Sequence, residues 1–153
     1  MLKNTYEGQI CSIARSLELI GERWTLLIVR DIFRRKRRFD DIQQSLGIAR
    51  NVLANRLERL VEQGILEKRL YQERPPRHEY FLTEKGIDLW PVLASLIKWG
   101  DKHEPEEHGP PAILHHKDCG GEISDHFICE DCGALVWARE VYVEPTPAVD
   151  VAA

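Results

Sequence analysis

Apolar residues between Ile10 and Phe33 recur at helical spacing. Ile13, Leu17, Leu19 and Ile20 precede Gly21, and Trp24, Leu26, Leu27, Ile28, Val29 and Ile32 follow it. This predicts two helices with a bend near Gly21, the second apolar nearly all round and so central to the core. Residues 34–38, Arg-Arg-Lys-Arg-Arg, then form a basic loop. A short helix is predicted over residues 39–46, with Phe39, Ile42 and Leu46 inward, and Gly47 breaks it. The clearest amphipathic helix covers residues 50–63, where Val52, Leu53, Leu57, Leu60 and Val61 fall on one side. Gly64 ends it. Residues 65–71 and 77–82 read as strands around a turn at 72–76, making a hairpin. A long helix follows from about residue 84 to about residue 103; Pro91 within it predicts a kink or a late start.

The remainder changes character. Residues 104–111 are an acidic, proline-containing linker. Residues 112–143 form a compact segment with strand-like runs at 127–128 and 134–137, and residues 144–153 read as a flexible tail. The fold class is therefore mainly α with a small β-hairpin wing, plus a small C-terminal β-rich segment. Residues 1–103 form the first domain.

Charge follows the same division. The formal net charge of −4 hides 19 Lys/Arg against 14 Asp/Glu in residues 1–103, and 2 against 11 in residues 104–153. Affinity for DNA depends on local basic surface, because Lys and Arg displace counterions from phosphate. The first segment meets that condition and the second does not. No apolar run reaches the roughly 18 residues of a membrane span, and the N-terminus carries no signal-peptide pattern, so a cytoplasmic location is expected.

The helix at 39–46, the Gly47 turn and the helix at 50–63 together read as a helix-turn-helix. The second helix of such a pair enters the major groove with its N-terminal residues on base edges. With Leu53 and Leu57 buried, Arg50, Asn51, Ala54 and Asn55 face outward. Arg bonds guanine and Asn bonds adenine in a bidentate way. Arg56 lies on the flank, toward phosphate. The hairpin supplies a wing, with Arg74 and Arg77 at its turn and Lys68 and Arg69 on its first strand, placed to follow the backbone or minor groove. The basic run at 34–38 has two readings, a solvated loop or a phosphate contact.

The sequence resembles the HxlR branch of winged-helix regulators, relatives of the MarR type. The resemblance is carried by Cys11-Ser12-Ile13-Ala14-Arg15, by residues 19–28 around Gly21-Glu22-Arg23-Trp24-Thr25, and by Arg38-Phe39-Asp40-Asp41-Ile42. It continues through Leu46-Gly47-Ile48-Ala49, Leu53-Ala54-Asn55-Arg56-Leu57, residues 60–66 and residues 80–86. These stretches span roughly residues 8–103. The resemblance implies a homodimer on a palindromic operator, repression as the default, and dimerisation through helices at about 8–20 and 84–103. The family commonly has Ser where this chain has Ala49; its loss removes a helix cap worth about 1 kcal/mol. Some members sense oxidants or electrophiles through a cysteine near the N-terminus, the region of Cys11. Cys11 has two readings, a small hydrophobe packed in an interface or a sensor thiol with Arg15 one turn away.

Cys119, Cys129 and Cys132 cluster far from Cys11. His116-Lys117-Asp118-Cys119-Gly120 and Cys129-Glu130-Asp131-Cys132-Gly133 share one shape: ligand, two residues, ligand, glycine. Two such turns bring three thiolates and one imidazole together, a set suited to structural zinc with no open coordination position. His115 competes with His116, and the symmetry of spacing favours His116. The rivals are a Cys129–Cys132 redox pair and metal-free thiols. A thiol oxidoreductase wants a surrounding βαβ pattern, which is absent. A further reading is a protein-interaction adaptor with the zinc knuckle as docking surface; no constellation suggests hydrolysis or group transfer.

Overall fold

The computed structural model describes residue 6 and residues 8–146. The chain folds as two units with the boundary between Ile87 and Asp88. The first contains α1 (Ser12–Ile20), α2 (Thr25–Phe33), α3 (Phe39–Leu46), α4 (Arg50–Glu62), β1 (Leu66–Gln72), β2 (Arg77–Leu82) and a one-turn α5 (Glu84–Ile87). Ile28, Val29 and Ile32 of α2 meet Ile42, Ile48, Leu53, Leu57, Leu60, Ile65 and Leu66 in a core whose members are all at most 4% exposed. The nearly all-apolar α2 is buried along most of its length, as its composition requires. Gly47 closes α3 at φ 60°, and its N–H donates to the Gln43 carbonyl at 2.9 Å. Ala49 opens α4 without a side-chain cap.

β1 and β2 pair antiparallel from Leu66↔Leu82 to Gln72↔Arg77, with a shift in register between Leu70 and Gln72. The basic loop adds to this hairpin: Tyr80 donates its N–H to the Arg37 carbonyl at 2.8 Å, and Arg38 bridges Glu79. The α1 region turns an apolar stripe outward. Ile10, Ile13 and Leu17 are all exposed, Ile13 by 73%.

The second unit holds α6 (Trp90–His103), β3 (Ala112–His116), a 3₁₀ turn at Ala138–Glu140 and β4 (Val141–Pro145). The late-start reading of Pro91 is the one realised: proline sits in the first turn of α6, where no N–H is needed. Trp90 is buried, with its ring 5.3 Å from Phe127 and 6.0 Å from Trp137. That packing joins α6 to the C-terminal segment, whereas the sequence reading placed residues 84–103 with the first domain. Val92, Leu96 and Trp99 form a second exposed apolar stripe. β3 and β4 pair antiparallel from Ala112↔Pro145 to His116↔Val141. Glu144 and Pro145, expected in the tail, therefore belong to a strand; the tail expectation for residues 147–153 lies outside the described residues. The strand-like runs at 127–128 and 134–137 contribute the single bridge Ile128↔Leu135. Leu114, Ile123, Val136 and Val141 make a small core around buried Cys129. Among the described residues no helix is long and apolar enough to cross a membrane.

Candidate functional site

Two groups of functional side chains stand out, one in each unit. In the first unit, the leucines at 53, 57 and 60 anchor α4 and leave its N-terminal face open. Arg50, Asn51, Ala54 and Asn55 are all exposed. The Arg50 guanidinium lies 4.6 Å from the Phe39 ring centroid and 3.3 Å from Asp40. Arg56 behaves differently. Its side chain is 17% exposed and lies 2.8 Å from Glu22. Glu22 also approaches Arg59 at 3.9 Å, so one carboxylate in the α1–α2 turn braces two turns of α4. Sequence spacing alone placed Arg56 on the flank toward phosphate; its partner is 34 residues away along the chain, and no local pattern reveals it.

Lys68, Arg69, Arg74 and Arg77 are exposed on the wing. Arg69 pairs with Glu67, and its guanidinium lies 4.2 Å from the Phe81 centroid. Arg37 approaches the same ring at 4.3 Å. Arg38 bonds Glu79 at 3.0 Å and lies 4.6 Å from the Tyr71 ring. The Glu79 bond, and then Tyr71, hold the Arg38 guanidinium more firmly charged than usual. Lys36 donates to Ser45 of α3 at 2.6 Å. Burial, and then neighbouring Arg30, lower the pKa of Arg34. The basic run is thus divided: residues 36–38 brace α3 and the wing, while Arg34 is partly desolvated and Arg35 is exposed. Phe81, Tyr71 and Glu79 were missed as supports by the sequence reading. Their signal is the aromatic and acidic residues interleaved with cations along the hairpin.

In the second unit, His116, Cys119, Cys129 and Cys132 place their donor atoms within 4.8 Å of one another. His116 Nδ1 lies 3.4 Å from Cys119 Sγ and 3.3 Å from Cys132 Sγ, and the sulfurs of Cys119 and Cys129 are 3.3 Å apart. For comparison, ligands about 2.3 Å from a tetrahedral ion stand about 3.8 Å apart. The two knuckles close alike. Gly120 N–H donates to the His116 carbonyl at 2.8 Å and Gly133 N–H to the Cys129 carbonyl at 2.9 Å, with φ of 78° and 72°. Glycine adopts that left-handed backbone without strain. Next to the first knuckle, a Cβ on Gly121 would stand 2.6 Å from Cys129 Sγ, so only glycine leaves room for the sulfur.

The geometry separates the two histidines. His116 is 4% exposed and faces the thiols. His115 points its Nδ1 at the Gly120 carbonyl, 2.8 Å away, stacks on Tyr142, and sets Nε2 3.0 Å from Glu144. At Cys129 the N–H of Cys132 favours the thiolate, burial opposes it, and bonds from Cys119 and the Asp131 N–H prevail, drawing the thiol down to about 6. At Cys119 the Gly121 N–H favours the thiolate, but the bond to Cys129, burial and Cys132 outweigh it and push the thiol up to about 11. The two thiols are linked through these bonds, and a metal ion bound by them displaces their protons. The cluster can hold a metal ion. Cys11 stands apart: its exposed Sγ accepts from the Ala14 N–H at 3.2 Å and caps α1.

Comparison with known proteins identifies the family of the helix-turn-helix. The family model described as HxlR-like helix-turn-helix matches residues 19–108. An uncharacterised HTH-type transcriptional regulator of Mycobacterium tuberculosis is 45% identical over 146 residues, covering 95% of this chain and 91% of that protein. A solved structure of a candidate transcription factor, PA1607, is 34% identical with a TM-score of 0.69, covering 90% of this chain and 96% of the other. The oxidised form of the redox regulator HypR is 29% identical with a TM-score of 0.56, covering 61% of this chain and 97% of that one. The chain belongs to the HxlR-like helix-turn-helix family of transcriptional regulators.

Proposed function

We propose that the protein is a homodimeric repressor of a palindromic operator, with a zinc ion holding its C-terminal unit together. The observation that carries this reading is the open face of α4. Arg50, Asn51, Ala54 and Asn55 stand exposed over Leu53, Leu57 and Leu60, each at most 1% exposed. Arg50 and Asn51 read base edges, Ala54 and Asn55 fit against the groove, and Lys68, Arg69, Arg74 and Arg77 follow phosphate. Arg56 acts mainly through Glu22 by fixing the angle of the helix. One winged helix covers a small stretch of duplex, and two copies read half-sites about 34 Å apart. The exposed stripes Ile10, Ile13, Leu17 and Val92, Leu96, Trp99 supply apolar surface for the partner copy. Three sulfurs and one imidazole suit zinc, and four protein donors leave no site for catalysis.

Electrophoretic shifts with the DNA upstream of the gene, over a salt series, test this reading. Specific retardation that weakens steeply with salt supports it. Failure to retard any upstream fragment at low salt overturns it in favour of an adaptor. Elemental analysis of untagged protein should give one zinc per chain.

A second reading, thiol control of DNA binding, draws on the cap made by Cys11 and on the likeness to HypR, which is named a redox regulator. Peroxide converts the Cys11 thiol to a sulfenic acid with release of water, which replaces the small sulfur acceptor at the start of α1 with a bulkier, more polar group. Equal operator affinity before and after peroxide treatment would dismiss it.

A further inference from the structure

The start of α4 runs against helix chemistry in two ways. Ala49 gives it no side-chain cap, and its first turn has no acidic residue. Arg50, the first helical residue, sets a cation where the helix dipole is already positive. α3 begins the opposite way, with Asp40 and Asp41 in its first turn. A local rule kept at one helix start and broken at the next marks a residue retained for what it contacts.

Both groups that hold Arg50 come from the first turn of α3. Nη1 donates to Asp40 Oδ1 at 3.3 Å, and Cζ lies over the Phe39 ring, 4.6 Å from its centroid. The side chains of Arg50 and Asp40 are 71% and 75% exposed, and an ion pair so open to water adds little to folding. Asp40 also sets a carboxylate beside the residue that meets DNA, where phosphate repels it. Neither stability nor raw affinity therefore accounts for Asp40. Direction does. An unheld arginine surrenders much rotamer freedom on binding, and one already fixed at Nη1 and over a ring surrenders less. The Nε and Nη2 donors of Arg50 have no partner among the described residues. They form one of the paired edges by which arginine takes guanine O6 and N7. Asp41, one residue on, acts instead on Arg38.

We propose that Asp40 is a specificity-determining residue that acts through Arg50. Its carboxylate pins the guanidinium over Phe39 with the Nε–Nη2 edge turned to the groove, so that the two side chains read one guanine as a unit. This assignment rests on α4 being the groove helix. The carboxylate lowers affinity for every sequence, and a guanine at the position Arg50 reads offsets that loss.

The test uses the full-length protein and a pool of random-sequence duplexes, from which the protein selects its preferred site. Dissociation constants are then measured on that duplex, on a scrambled duplex, and on copies in which each guanine in turn is 7-deazaguanine, which lacks N7. Arg50→Ala identifies the guanine that Arg50 reads, as the one whose N7 no longer matters in that variant. In the unaltered protein the loss of that N7 should weaken binding about tenfold. Asp40→Asn should bind the scrambled duplex more tightly and lose most of that tenfold preference. Asp41→Asn removes the same charge from the same helix turn, so it should also bind the scrambled duplex more tightly, yet keep the preference. If the two variants keep the preference alike, Asp40 is bulk charge and the proposal is overturned. A loss in Asp40→Asn spread over bases that Arg50 does not read marks a displaced helix and overturns it too. A protein that selects no sequence from the pool removes the groove reading of α4 and this assignment together. Relaxed preference at one guanine in Arg50→Ala, with none in Asp40→Asn, removes this assignment alone.

Discussion

The two units hold functional side chains in place by different means. In the first, the face of α4 is set from behind by a continuous apolar core. Ile28, Leu53, Leu57 and Leu60 are each at most 1% exposed, so the exposed residues inherit their direction from burial. In the second, the apolar core is small, and four donor atoms converge where two glycine-closed turns face each other. Burial tolerates exchange among similar apolar groups, whereas ligation tolerates almost none. On the proposed reading, a robust reader of DNA is joined to a segment whose order depends on an ion.

The sharpest way to break this contrast is to remove the metal. Chelation should abolish dispersed resonances in the second unit while those of the first remain, because structural zinc supplies on the order of 10 kcal/mol to such a fold. Cys129→Ala should do the same. A second unit that stays ordered without metal would show that its core suffices. Next in size, Leu57→Ala should cost about 2–5 kcal/mol of first-unit stability in a denaturant titration, with zinc content unchanged. Arg50→Ala should weaken specific DNA binding by about 1–3 kcal/mol and relax base preference, whereas Arg74→Ala should weaken all sequences alike and reduce the salt slope by about 1. Footprinting and salt-series titrations separate these two outcomes. Smallest, Ala49→Ser should restore a helix cap and raise the melting midpoint of the first unit, a gain of about 1 kcal/mol.

The units also differ in how much of each is visible in the chain's pattern. α3 and the start of α4 follow from a 3.6-residue period bounded by Gly47, and β2 from the Tyr80-Phe81-Leu82 run between Pro76 and Thr83. Those signals are local. The bond of Arg56 to Glu22 and the stacking of Arg37 and Arg69 on Phe81 join residues far apart in sequence, so spacing is silent about them. In the second unit the repeated knuckle shape identified all four clustered donors, and the alternative of His115 closed only when its ring was seen turned to Gly120. The five-residue strands β3 and β4 escaped notice, since each is short and its partner lies 25 to 33 residues away. The placement of α6 rests on Trp90 meeting Phe127 and Trp137, a contact that no periodicity encodes.

The tie between the loop before α3 and the wing carries a consequence for the choice of target. Tyr80 N–H bonds the Arg37 carbonyl, and Arg38 bonds Glu79, so the hairpin is sewn to the helix-turn-helix by backbone and side chain at once. On the proposed reading, the distance between the groove reader and the flanking grip is then a fixed length, like the jaws of a locked calliper. Targets whose flank is displaced by a base pair or two have to bend to be held, and duplex stiffness becomes part of how this protein selects its address.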